Sequence, residues 1–253
     1  MADTLGEAYR RIGELERQLA RRDAELAEAA REMDGLAYGI SHDLRSPLRA
    51  VGGFAQMLEE DCGASLDENG RRYVTVIRAS AGKLERLIEG LLAYARTGRQ
   101  PLKCGPVDMT ALARRAVEAA GGAAASAAIV VPALPGASGD PDLLYHVWHN
   151  LLVNALTYTS RSALPRIEIG SSQGQGETIW YVRDNGVGFD MRYAQKLFGM
   201  FQRMHGDDEF PGVGTGLATA RRILARHGGR IWAEATPESG ACFYFALPER
   251  REP

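Results

Sequence analysis

A heptad runs through residues 5 to 40 and constrains the chain more than any other feature. Leu5, Ile12, Leu19, Leu26, Met33 and Ile40 hold its a positions. Ala8, Leu15, Arg22, Ala29 and Leu36 hold its d positions. An apolar repeat of about 3.5 residues, sustained this long, winds helices into a left-handed coiled coil. Most flanking positions are charged, so the stripe requires a partner helix rather than burial on its own domain. Arg22 and the two alanines weaken the seam, which suits a coil whose helices must shift.

The helical pattern continues through Leu44, Leu48 and Val51 to about Asp61. Pro47 lies inside it, where it must kink the helix or remove one backbone hydrogen bond. Cys62-Gly63-Ala64-Ser65 breaks the pattern, and a second helix is expected from about Asp67 to Ala95. Its stripe is Ile77, Ser80, Leu84, Leu87, Leu91 and Tyr94. The two helices form an antiparallel hairpin. One hairpin cannot bury both stripes, so two copies are expected to form a four-helix bundle, making the protein a homodimer.

Composition narrows the function. The formal net charge is -2, which gives no basic surface for nucleic acid. Cys62, Cys104 and Cys242 are an odd set without CxxC spacing, which argues against disulfides or zinc and fits a reducing compartment. No apolar run approaches about 18 residues, so no membrane span is expected, and the location is read as cytoplasmic.

Residues 97–106, TGRQPLKCGP, read as a linker. Beyond it a helix is expected near Met109–Ala120, and residues 121–128 are ambiguous. A short strand is expected at 129–131. Asp140-Pro141 reads as an N-cap and N1 proline opening a helix to about Tyr158. Strand patterns follow at 166–170, 178–183, 230–234 and 241–247, with a helix at 216–227 before the last two. This half is expected to be an α/β sandwich, a mixed sheet covered by helices.

Four places carry chemistry. His42 falls at a c position, off the seam, with Asp43 beside it; a carboxylate there can hold one ring nitrogen and leave the other nucleophilic. Asn150 and Asn154 are four residues apart and share a helical face, where an amide oxygen suits Mg²⁺. Asp184-Asn185-Gly186-Val187-Gly188 follows a strand and offers a carboxylate to an exocyclic amine. Gly212-Val213-Gly214-Thr215-Gly216-Leu217 opens a helix, so its backbone N–H groups can hold phosphate. It is neither a Rossmann signature nor a P-loop, since no βαβ unit or GK[ST] accompanies it.

The segment Ser41–Leu48, SHDLRSPL, resembles the phosphoacceptor box of sensor histidine kinases. His149–Ala155 resembles the N box, Asp184–Gly188 the G1 box, Leu197–Phe201 the F box and Gly212–Leu217 the G2 box of that family. The boxes occur in family order and, with the coil and hairpin, cover nearly the whole chain. FQRMH and RHGGRIWAEATPESGACFYFALP look most like the phytochrome-type branch.

The resemblance implies a signalling coil (1–33), a dimerisation and phosphotransfer hairpin (34–97), a linker (98–106) and an ATP domain of the gyrase, chaperone and histidine kinase type (107–250). It implies ATP and Mg²⁺ as ligands, with Asn154 on the metal. Asn150, Tyr158, Asp184, Gly186, Gly188, Phe198, Gly212, Gly214, Thr215, Gly216 and Leu217 would line the ATP site. Phe198 fits a core and a hinge position equally well. The implied reaction is phosphorylation of His42, with Asp43 holding the imidazole, then transfer to an aspartate on a response regulator receiver domain. Ser46 stands where the family commonly has Thr or Asn, which leaves regulator phosphatase activity open. The chain carries no recognisable input domain, so the signal must come from an upstream sensor domain or a separate sensor protein.

Thr157 departs from the family, which usually has a lysine there. A hydroxyl cannot supply a lysine's point charge to phosphate. Weaker ATP affinity is expected, with Arg161 and Arg203 as candidate replacements. The same departure supports an alternative, a degenerate kinase acting as a dimeric regulator-binding scaffold.

Overall fold

The computed structural model describes residues 2–174, 177–206 and 209–248. Helix α1 (Ala2–Cys62) and helix α2 (Glu68–Arg99) form the expected antiparallel hairpin. Pro47 sits within α1 without ending it; lacking an N–H, it leaves the Asp43 carbonyl without its usual donor. The turn closes through bonds from the Gly63 N–H to the Glu59 carbonyl and the Leu66 N–H to the Cys62 carbonyl. Asp67 caps α2 by accepting from the Gly70 N–H at 2.7 Å. Arg78 pairs with Glu59 across the hairpin.

Inside the hairpin, Ala55, Val74, Ala81, Ile88, Leu92 and Ala95 are buried. Many larger apolar side chains are not. Ile12, Leu15, Leu19 and Ile40 of the heptad are exposed, as are Val51, Phe54, Met57, Ile77 and Leu84. The side chains of Leu5, Ala8, Leu26, Met33 and Leu36 lie outside the described residues.

The remainder is a two-layer α/β unit. Strands β2 (Ala128–Val130), β4 (Arg166–Gln173), β5 (Thr178–Asp184), β6 (Arg230–Ala235) and β7 (Ala241–Leu247) form one sheet in the order β2-β4-β5-β7-β6. The β2–β4 pair is parallel and the others antiparallel, so the sheet is mixed as expected. Helices α3 (Met109–Ala119), α5 (Pro141–Thr159) and α6 (Gly216–Arg226) also match the sequence pattern closely. In β5, Thr178, Trp180, Val182 and Asp184 are buried and alternate with half-buried or exposed neighbours. That period-two pattern presents one face to the helices and leaves the other in solvent.

Trp148 of α5 and Trp180 of β5 both pack on Phe245 of β7, with ring centroids 5.0 and 5.5 Å away. Leu144, Leu151, Ile167, Phe243 and Leu224 complete the centre. Asp140 caps α5 through the N–H groups of Asp142 and Leu143, and accepts from Lys103 as well. Burial raises its carboxyl, but these backbone bonds and His227 outweigh that and leave it below the usual carboxylate range.

Several elements differ from the sequence reading. The segment expected as linker is partly ordered: α2 extends to Arg99 and β1 (Gly105–Val107) begins before its end. β1 pairs with β3 (Ala137–Gly139) in a separate antiparallel ribbon that the sequence did not suggest. Helix α4 (Gly122–Ala125) occupies the ambiguous stretch, and a 3₁₀ turn covers Met191–Lys196.

Candidate functional site

A cavity of about 270 Å³ lies between α5, the end of β5 and the glycine loop leading into α6. Asn150, Asn154 and Tyr158 reach it from successive turns of α5. Asp184, Gly188, Gly212, Gly214, Thr215, Gly216 and Leu217 line it too. These residues are far apart in sequence; the α5–β5–β7–α6 packing brings them together.

Asp184 is almost wholly buried. Its Oδ1 accepts from the Gly186 N–H at 2.9 Å and the Ala241 N–H at 3.3 Å. Among the described residues no hydrogen bond reaches Oδ2. Burial pushes this carboxyl up to about 6, against the pull of those two N–H groups. A carboxylate held from behind on one oxygen keeps the other for an amine donor.

Gly186 does not line the cavity. A Cβ there would lie 2.4 Å from the Tyr158 carbonyl, so Gly186 allows the close approach that lets its N–H brace Asp184. Phe198 is a correction: it is buried in the hydrophobic core and is not among the cavity residues. The F-box segment reaches the cavity instead through Leu197 and, beyond it, Gln202 and Arg203. Phe189, Ala241 and Phe243 also line it and were missed. Their apolar character reads as ordinary core until the fold opens a cleft beside them.

Gln202, Arg203, Met204, His205 and Pro211 border one side of the cavity. Tyr158, His205 and Phe210 form a ring cluster with centroids 5.1 to 5.5 Å apart. Burial raises the Tyr158 hydroxyl pKa, with Arg203 opposing. The His205 ring meets the Gly188 carbonyl at 3.0 Å. Arg161 lies over the Phe210 ring and donates to the Glu209 carbonyl. Arg203 donates to the carbonyls of Gly206 and Phe210. Of the two arginines, only Arg203 lines the cavity. Thr157 lines it as well, and its hydroxyl donates to the Val153 carbonyl at 2.7 Å.

The glycine loop also touches the hairpin. Gly214 has φ +73°, a left-handed conformation that glycine adopts without strain. Its carbonyl accepts from the Phe201 N–H at 2.8 Å. The Phe201 side chain lies at an apolar groove lined by Ile40, Ser41, Leu44, Pro47, Leu87 and Leu91. One residue beyond Ser41, His42 is exposed, and its Nδ1 lies 3.2 Å from Asp43 Oδ1. Ser46 is exposed one turn further along α1. On the other helix, Arg222 of α6 lies over the Tyr94 ring, 4.4 Å from its centroid, and Arg226 donates to the carbonyls of Thr97 and Gln100.

Among the described residues no helix is long and apolar enough to cross a membrane. No group of three or more His, Cys, Asp or Glu among them could hold a metal ion.

Residues 32–100 match the family model of the His Kinase A (phospho-acceptor) domain. Residues 139–251 match that of the histidine kinase-, DNA gyrase B- and HSP90-like ATPase. The chain is 33% identical over 236 residues to cyanobacterial phytochrome A of Nostoc sp., covering 91% of this chain and 30% of that protein. It is 34% identical over 246 residues to the methanogenesis regulatory histidine kinase FilI of Methanothrix harundinacea, covering 96% and 26%. Full-length ShkA in complex with AMPPNP superposes with a TM-score of 0.59 at 28% identity, over 85% of this chain and 45% of that one. The chain thus spans less than half the length of these relatives. By sequence, fold and the order of its two matched domains, the chain belongs to the histidine kinases.

Proposed function

We propose that the protein binds ATP in the cavity around Asp184, phosphorylates its own His42, and passes the phosphoryl group to an aspartate of a response regulator receiver domain. One observation carries this reading. The glycine loop that closes the cavity is bonded to Phe201, whose side chain lies at the groove beside the exposed His42–Asp43 pair.

In this reading Asp184 Oδ2 accepts from the adenine amine, and the loop and α6 N-terminus hold the phosphates. The Asn154 amide has no hydrogen-bond partner among the described residues and faces the cavity, so it fits an oxygen ligand for Mg²⁺. Phosphate oxygens of the nucleotide and water would supply the remaining ligands, so no carboxylate cluster would be needed. Bound Mg²⁺ would neutralise charge on the phosphates.

Asp43, as a carboxylate, only accepts, so the facing Nδ1 carries the ring proton and Nε2 keeps its lone pair. Nε2 forms the bond to the γ-phosphorus as the bond to the bridging oxygen breaks and ADP leaves. The exposed apolar face of the hairpin supports pairing with a second copy.

Incubation with γ-labelled ATP and Mg²⁺ tests the reaction. Wild type should take up acid-labile, alkali-stable label, and His42→Gln should take up none. Acid-stable label, or equal labelling of His42→Gln, would remove His42 as the acceptor. Tight nucleotide binding with no label at all would favour the scaffold reading.

A further inference from the structure

Gly90 of α2 lies directly under the glycine loop. A Cβ at Gly90 would stand 2.7 Å from both Cγ2 and Oγ1 of Thr215, and 3.1 Å from its Cβ. Carbon atoms in favourable contact stand about 3.5 to 4.0 Å apart. Thr215 is β-branched and stiff at χ1, so it cannot swing a flexible end aside. Adding one methyl group at Gly90 would push the loop off α2 by roughly an ångström.

The height of this contact matters. Gly52 of α1 packs on Ala81 of α2, 3.7 Å from the Ala81 Cβ for a Cβ built at Gly52. The helices are antiparallel and rise equally per residue. Ten residues back along α1 from Gly52 is His42, and ten residues on along α2 from Ala81 is Leu91. Ser41 and Leu91 accordingly line the same groove. Gly90 therefore seats Thr215 at the level of His42. Phe201, hydrogen-bonded to the adjoining Gly214, lies at this groove between α1 and α2. The Arg222–Tyr94 and Arg226–α2 contacts extend the seat toward the end of α2.

We propose that Gly90 is a positioning residue for phosphoryl transfer: its missing side chain sets the depth and height at which the glycine loop docks beside His42. The proposal rests on the histidine kinase reading above and deepens it. Gly90 touches neither nucleotide nor His42; it acts through Thr215. A misplacement of about 1 Å can lower a transfer rate a hundredfold. Binding of nucleotide within the cavity would not register it.

The test is Gly90→Ala in the full chain, with Gly82→Ala as its control. Both lie in α2, and alanine favours helix over glycine at each. At Gly82 the nearest atom to a new Cβ is the mobile end of Arg86, 3.6 Å away. Gly90→Ala should lower the initial autophosphorylation rate about ten- to a hundredfold. Affinity for a non-hydrolysable ATP analogue and the melting temperature should not fall. Gly82→Ala should phosphorylate as wild type. Hydrogen exchange at residues 215–219 reads the seat without catalysis, and Gly90→Ala alone should quicken it. Labelling at the wild-type rate in Gly90→Ala, or a matching loss in Gly82→Ala, overturns the proposal. Unlabelled wild type in which Gly90→Ala still quickens that exchange overturns the kinase reading and supports the seat.

Discussion

Asp184→Asn should stabilise the nucleotide-free ATP domain while destroying its nucleotide site. The native carboxyl is pushed from 3.8 to about 6, chiefly by burial. A carboxyl whose folded pKa exceeds its unfolded value binds its proton more tightly when folded. The folded state enjoys that advantage fully below pH 3.8 and loses it as pH rises through about 6. Each pKa unit is about 1.4 kcal/mol, so ionised Asp184 costs the fold on the order of 3 kcal/mol at pH 8. Asparagine removes the charge. Both backbone bonds fall on Oδ1, so one amide oxygen can keep them. The amide nitrogen then stands where Oδ2 stood and opposes an adenine amine, donor against donor.

Urea unfolding followed by tryptophan fluorescence isolates the effect, because Trp148, Trp180 and Trp232 all lie in this domain. Without nucleotide, the variant should exceed wild type by up to about 3 kcal/mol at pH 8, with the difference vanishing near pH 4. An ATP analogue should stabilise wild type and not the variant. A difference constant between pH 4 and 8, or a variant weaker than wild type at pH 8, would refute the claim that Asp184 is held ionised against its surroundings.

Thr157→Lys should tighten Mg-ATP analogue binding about tenfold, the worth of one hydrogen bond to a charged group; unchanged or weaker affinity by calorimetry would show that Arg203 already fills that need. Val51→Asp places a charge on the exposed apolar face of α1 and should shift the chain from dimer to monomer by light scattering. A dimer of unchanged affinity would move the interface elsewhere.

Periodicity made most of the fold legible. The hairpin, α3, α5, α6 and all five strands of the main sheet fall within a few residues of their sequence pattern, because most of them bury one face and expose the other. The β1–β3 ribbon was not legible. Three-residue strands such as Gly105–Val107 carry no period, and their pairing depends on where Asp140 anchors Lys103. In the site, polar and glycine residues stood out because their chemistry is hard to explain as packing. Phe198 has two sequence readings for the opposite reason: an aromatic beside a motif can serve the core or the cleft, and only the path of the chain after Leu197 separates the two.

The least legible feature is the one that joins the two units. Gly90 sits in a helix where glycine is unfavourable, and α2 gains nothing local from it. Gly82 stands in the same helix with the same local cost and no tight neighbour. Sequence alone ranks the two equally. Their difference arises from Thr215, 125 residues away along the chain, and from a hairpin register that sets Leu91 opposite His42. Close approach between distant elements is encoded as an absence of atoms. It becomes visible only when the partner surface is in place.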